Sequence, residues 1–243
     1  IAIPSPAAIR QWGNKAYPQH ASGTGPFKIA KYIEGQVLEL EPNKDYWGTK
    51  AKLDKLVLYP KPEPAARLAA LQSGAVDWAE VIPPDSIEQV KAAGYNVLLK
   101  TYPHTIYYGF NTYRAPFNDV RVRRAISHAI DRQALIEAVW GQGAPTAAVS
   151  RGLVEWSLPI DHLGVGAKYY QYDPKEARRL LAEAGFPKGF KTQLTATTGY
   201  GRDLVDDVQL VQHFLKDVGI EAELKLQEFG AYAATTQQGK FEG

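Results

Sequence analysis

The chain has 243 residues, 45% of them hydrophobic, enough for a packed core in one large domain or two modest ones. Its net charge is +2 with both signs spread along the sequence, which offers no basic face to nucleic acid, and no window approaches the roughly 18 uncharged apolar residues of a membrane span. Cysteine is absent, which removes disulfides, thiolate metal sites and cysteine nucleophiles together.

In chain order, residues 6–13 predict a short helix ending near Gly13, followed by a polar, irregular stretch over 14–25. The runs 37–41 and 56–59 alternate or are apolar, and both predict strands. Between them, 42–48 is a turn-rich loop carrying Tyr46 and Trp47. Pro64 opens a helix where a missing N–H costs nothing, and Gly74 follows its last turn. Residues 76–79 predict a brief strand. A helix then starts at Asp85 or Ser86 and stops at Gly94, and 97–99 predicts a further strand. That order, β–α–β–α–β, favours a mixed α/β sheet.

Residues 110–136 combine an aromatic segment, a turn at Pro116 and an amphipathic helix expected over 119–140. Asp119 is placed to cap that helix, and Val122, Ala125, Ile126, Ala129, Ile130 and Ile136 form its buried stripe. Residues 141–171, punctuated by Gly and Pro, are too long for an ordinary connector and are expected to wrap a surface. At 173–185 Asp173 caps, Pro174 takes the first position, Glu176 is placed to close a capping box and Gly185 ends the helix. A strand is predicted over 194–197 and an amphipathic helix over 202–218. The alternation of Ile220, Ala222, Leu224 and Leu226 with charged residues predicts a half-buried strand. The chain opens at Ile1-Ala2-Ile3-Pro4 and stops in a turn-like string at Gly243, so it reads as an internal piece of a longer protein.

The chemistry-bearing motifs of enzymes are missing. Gly199-Tyr200-Gly201 precedes a helix, but Leu204 stands where a dinucleotide loop needs its third glycine, and no Gly-Lys-Ser/Thr follows. That loop is left as either a ligand contact or a structural turn. Gly23-Thr24-Gly25 reads as a tight turn. The histidines are scattered without ligand spacing, His128 reads as packing, and no serine sits in a Gly-x-Ser-x-Gly elbow. Of Asp206 and Asp207 one is expected to face solvent, which leaves no acid–base pair; Arg121, Arg123 and Arg124 read as a salt-bridging face. Tyr102, Tyr107, Tyr108, Phe110 and Tyr113 crowd one dozen residues, as a binding cleft or a packed hinge would require. Alternation sends Tyr108 and Phe110 to one face and Tyr107 to the other. No cofactor or metal is expected.

Several stretches together resemble the family 5 extracellular solute-binding proteins, the di- and oligopeptide-binding receptors of ABC importers. They are Gly23-Thr24-Gly25-Pro26-Phe27, Asn43 with Tyr46-Trp47-Gly48, Leu71-Gln72-Ser73-Gly74 with Asp77, and the 110–136 stretch with Asn111, Pro116, Phe117, Asp119 and Asp131. Tyr172-Asp173-Pro174 with Ala184-Gly185-Phe186, and Val218-Gly219-Ile220, complete the set. The resemblance implies an α/β, periplasmic-binding-protein-like (type II) two-lobed fold, here a partial chain with mixed sheets flanked by helices. It puts residues 1–103 in lobe I, 104–112 in a hinge crossing and 113–243 in most of the second lobe. It also implies that the loop before the 202–218 helix faces the ligand, with Tyr200 as its aromatic. Thr198 stands where dipeptide receptors carry Arg, which weakens capture of a dipeptide carboxylate. With Gly199, and with Tyr108, Phe110 and Asn111 of the crossing, these form the expected ligand-binding set. The implied function is non-enzymatic: a monomer, periplasmic or anchored outside a Gram-positive cell, closes on a peptide or another small solute and delivers it to an ABC permease. Some branches take nickel, haem or oligosaccharide. A signalling or chaperone-like receptor of the same fold, or a hydrolase, are the rival expectations.

Overall fold

A computed structural model of the chain describes residues 4–99, 104–141 and 143–241. The backbone divides after Ile82 into two compact units.

In the first unit, β1 (Phe27–Ile33), β2 (Val37–Pro42) and β3 (Leu56–Leu58) form an antiparallel sheet in sequence order. α1 (Pro6–Ala16) starts at Ser5, whose hydroxyl accepts from the N–H of Ala8 at 3.3 Å. Gly13, at a φ of 66°, breaks its regularity where the sequence places the helix end. Asn43 joins two of the motifs. Its Nδ2 donates to the Gly25 carbonyl at 3.0 Å and its backbone N–H to that of Pro26 at 2.8 Å. The tight turn and the aromatic loop are therefore one hydrogen-bonded corner. α2 (Pro64–Gln72) follows.

The second unit begins with a helical turn at 84–86 and α3 (Ile87–Ala92). Pro84 packs so near Gly141 that a Cβ there would come within 3.0 Å of it, which ties this stretch to the later residues. The centre of this unit is α4 (Val120–Ala129), whose Val122, Ala125, Ile126 and Ala129 are buried, together with α6 (Pro174–Glu183). The single helix expected over 119–140 is broken: Ile130 turns extended, Asp131 caps α5 (Arg132–Leu135), and a wider π turn over 136–140 follows. β4 (Phe190–Thr197) and β5 (Ile220–Gln227) pair in parallel, joined by α7 (Arg202–Asp217), and α8 (Phe229–Gln237) comes last. Gly189 allows the pair to start so close that a Cβ on it would lie 1.7 Å from the Gly219 carbonyl oxygen. Phe117, Leu180, Leu181, Val211, Leu215 and Ile220 close the core between helices and sheet.

The α/β class with sheets flanked by helices is what the structure has, but the β–α–β–α–β order is not, and neither sheet is itself mixed: one is antiparallel and the other parallel. Residues 76–79 and 97–99 are not strands, because no neighbouring strand among the described residues pairs with them. β1 was not anticipated, although its ends alternate. Glu176 does not close a capping box. It pairs instead with Arg179 at 2.6 Å, while the Asp173 N–H donates to the His128 carbonyl at 2.8 Å.

Candidate functional site

A cavity of about 1000 Å³ lies within the second unit. The 104–112 segment supplies Tyr107, Tyr108 and Phe110 to its wall, α4 supplies Arg124, α5 Arg132 and the π turn Trp140. Residues 143–148 with Leu163, Gly166, Tyr169 and Tyr170 add to the wall. Arg124 lies 4.4 Å over the Tyr169 ring and Arg132 5.3 Å over Tyr170, and the Ser127 hydroxyl donates to the Tyr169 carbonyl at 2.5 Å. Arg132 also donates to the Ser127 carbonyl at 2.9 Å, and burial pulls its guanidinium below the ordinary arginine value. The expected salt-bridging face is reduced to Arg121, which pairs with Asp119 at 2.6 Å. Arg123 instead donates to the Phe117 carbonyl at 2.6 Å.

Asp207 is the centre of the site's polar structure. It is 1% exposed, on α7, and accepts from the Tyr108 hydroxyl and, at 2.8 Å, from the Trp140 indole N–H. Burial, followed by the Asp207 charge and hydrogen bond, pushes the Tyr108 phenol well above its ordinary value. Phe110 stacks on Phe117 with centroids 5.6 Å apart, and both Tyr108 and Phe110 pack on the core. Tyr107, by contrast, is 81% exposed. Asn111 Nδ2 donates to the Phe241 carbonyl at 2.9 Å, fastening the end of the 104–112 segment away from the cavity wall. Tyr102 lies outside the described residues.

The loop before α7 forms a second group. Thr198 is exposed and its carbonyl accepts from the Gly201 N–H at 3.1 Å. The Gly199 N–H donates to Thr197 Oγ1 at 3.0 Å, and a Cβ on Gly199 would meet Phe229 Cβ at 2.6 Å. Tyr200, 64% exposed, sets its ring edge-on to Phe229 at 5.2 Å. One turn along α8 stands Tyr232, whose phenol is raised by burial and then by the nearby Tyr200 and Tyr107. The structure thus brings Tyr108 and Phe110 together at the cavity, and keeps Thr198, Gly199 and Tyr200 in the loop before α7, where Gly199 and Tyr200 meet Phe229 of α8. Trp140 and Tyr232 were not singled out from sequence, and Asp207 was weighed only as half of an acid–base pair with Asp206. For Asp207 a signal existed: it falls three residues after Leu204 and four before Val211, on the apolar stripe of its helix.

Among the described residues no group of three or more His, Asp or Glu is placed to hold a metal, and no helix is long and apolar enough to cross a membrane. The sequence profile of the bacterial extracellular solute-binding proteins, family 5 Middle, matches residues 1–242, and the chain belongs to that family. It is 36% identical over 180 residues to the heme-binding protein A of Haemophilus influenzae, covering 70% of this chain and 30% of that protein. It is 30% identical over 227 residues to the dipeptide-binding protein of Escherichia coli, covering 90% of this chain and 41% of that one. The solved structure of the ABC transporter-associated periplasmic binding protein DppA from Helicobacter pylori, in complex with peptide STSA, matches with a TM-score of 0.74. The identity there is 28%, over 99% of this chain and 46% of that one. The chain therefore spans less than half the length of each of these relatives, all of which are named as binding proteins.

Proposed function

We propose that the chain is part of the solute-binding component of an ABC importer, which captures a peptide or similar small solute and passes it, chemically unchanged, to a membrane permease. The observation that carries this reading is the family match across residues 1–242. In it, residues 1–103 contribute to one lobe, 104–112 form the hinge crossing and 113–243 build most of the other lobe. The lobes close on the solute, contacts made only in the closed state shift the open–closed equilibrium, and the permease reads the closed form. Thr198, Gly199, Tyr200, Tyr108, Phe110 and Asn111 are the contacts this reading assigns. The receptor works as a monomer in the periplasm, or tethered outside a Gram-positive cell.

Peptide is the favoured solute because the H. pylori relative is solved with one. Thr198 in place of an arginine argues against a dipeptide held by its carboxylate, and so favours longer or differently held solutes. A second solute, haem, is favoured by the H. influenzae relative. The test is native mass spectrometry of the intact protein, with any co-purified ligand released and identified. Recovery of an intact peptide supports the first reading, and a Soret band on mixing with hemin supports the second. Cleavage products of a bound peptide would overturn both in favour of a hydrolase.

A further inference from the structure

Asp207 costs the fold something. A fully buried carboxylate met by neutral donors loses more hydration than an apolar side chain would at the same place on the α7 stripe. What that carboxylate does is join three separate pieces of chain. Its Oδ1 takes the Tyr108 hydroxyl from the 104–112 segment, its Oδ2 takes the Trp140 indole N–H from the end of the π turn at 2.8 Å, and α7 carries it. Tyr108 and Trp140 both belong to the cavity wall.

The residue next to Tyr108 shows the consequence. With Tyr108 held inward, Tyr107 is left 81% exposed at the border of the same cavity.

We propose that Asp207 is a positioning residue for solute binding: by holding Tyr108 and Trp140 it fixes the aromatic segment over 104–112 and leaves Tyr107 as the exposed phenol of the cavity wall. Rings with hydroxyl tips suit a solute that offers flat or apolar side groups beside amide donors and acceptors. What Tyr107 meets rests on the receptor reading above; the anchoring by Asp207 does not.

The test uses the intact protein labelled with 3-fluorotyrosine and with ¹⁵N at the tryptophan indoles, each resonance assigned by single Tyr→Phe or Trp→Phe substitutions. Asp207→Asn keeps the shape and removes the charge. It is expected to move the Trp140 indole signal and to shift the Tyr107 fluorine signal toward that of a mobile ring, while Tyr113, 97% exposed, stays put as a control. Tyr108→Phe is expected to change Tyr107 in the same way. A lowered melting temperature with the Tyr107 resonance unmoved in both variants would make Asp207 a packing residue and overturn the proposal. Should Asp207→Asn fail to fold, Tyr108→Phe and Trp140→Phe, each leaving the carboxylate one donor, decide the question.

A binding arm uses the peptide Ser-Thr-Ser-Ala as probe. Asp207→Asn and Tyr107→Leu are each expected to lose about tenfold in affinity, and the double variant little more than either alone. Fully additive losses would contradict the coupling. If the parent protein does not take Ser-Thr-Ser-Ala, the peptide reading is what fails, and the fluorine spectra still decide the role of Asp207.

Discussion

Asp206 and Asp207 are chemical equals on adjacent residues, yet one pairs with Arg202 at 3.5 Å on the surface of α7 and the other is sealed against Tyr108 and Trp140. The helix period alone separates their fates, and to that extent the site was legible in the sequence. Its partners were not, because Tyr108 lies 99 residues away in the chain and Trp140 67, and nothing local to any of the three announces the meeting. The pairing has a consequence for alkaline stability. Folded Tyr108, its phenol raised by burial and by Asp207, keeps its proton where the unfolded chain gives one up near pH 10. Its contribution to stability is therefore complete below about pH 10 and declines as the pH climbs past it. Tyr108→Phe removes both the ionisation and one donor to a buried carboxylate. At neutral pH the variant should be less stable by about 1–3 kcal/mol, and the gap should narrow above about pH 10. Denaturant midpoints measured across that range check it; a gap of constant size would show that Tyr108 ionises like an exposed tyrosine.

Elements with a complete local signal were readable, and those needing a distant partner were not. Asp119, Asp131 and Asp173 each accept from backbone N–H groups in the first turn of a helix, so α4, α5 and α6 are nucleated by residues beside them. The apolar runs at 76–79 and 97–99 have the composition of strands, but a strand exists only in a ladder. Trp78, Leu98 and Leu99 are left largely exposed in this chain. The break at Ile130 was hidden for the opposite reason: its apolar spacing continues the helix, while the cap on Asp131 starts a new one. Among the caps Asp173 has the least backup. Its carboxylate accepts from the N–H groups of Lys175 and Glu176 at 3.0 Å each, and the Glu176 side chain that would have closed a capping box is turned to Arg179. Asp173→Ala should therefore cost about 1 kcal/mol, and Asp173→Asn much less, since the backbone bond to His128 survives either change. Equilibrium urea unfolding measures both. Equal losses would mean that the charge, and not the hydrogen bonds, is what counts at that helix end.

At the scale of the whole chain, the two units differ in how they are held together. Residues 83–243 own a continuous core in which Val122, Ala125, Leu181, Val211 and Ile220 are buried at 0–2% exposure. In the first 82 residues only Ala8, Asn43 and Ala70 reach burial among the described ones. The second of these acts through hydrogen bonds at the turn, and the alanines bring little area. Composition did not foretell this imbalance, because the apolar residues of β1, β2 and β3 are as numerous as a core needs; they are half-covered because one sheet face has too little packed on it. Local opening free energy follows buried apolar contact, and the most protected amides sit where the core is continuous. Hydrogen exchange on the 243-residue chain should therefore show its slowest amides in α4, α6, α7 and the β4–β5 pair. The β1–β3 meander, whose β1–β2 ladder shifts register between Ile29 and Lys31, should exchange by smaller openings and much sooner. If both units instead exchange together at one common rate, they unfold as a single cooperative body.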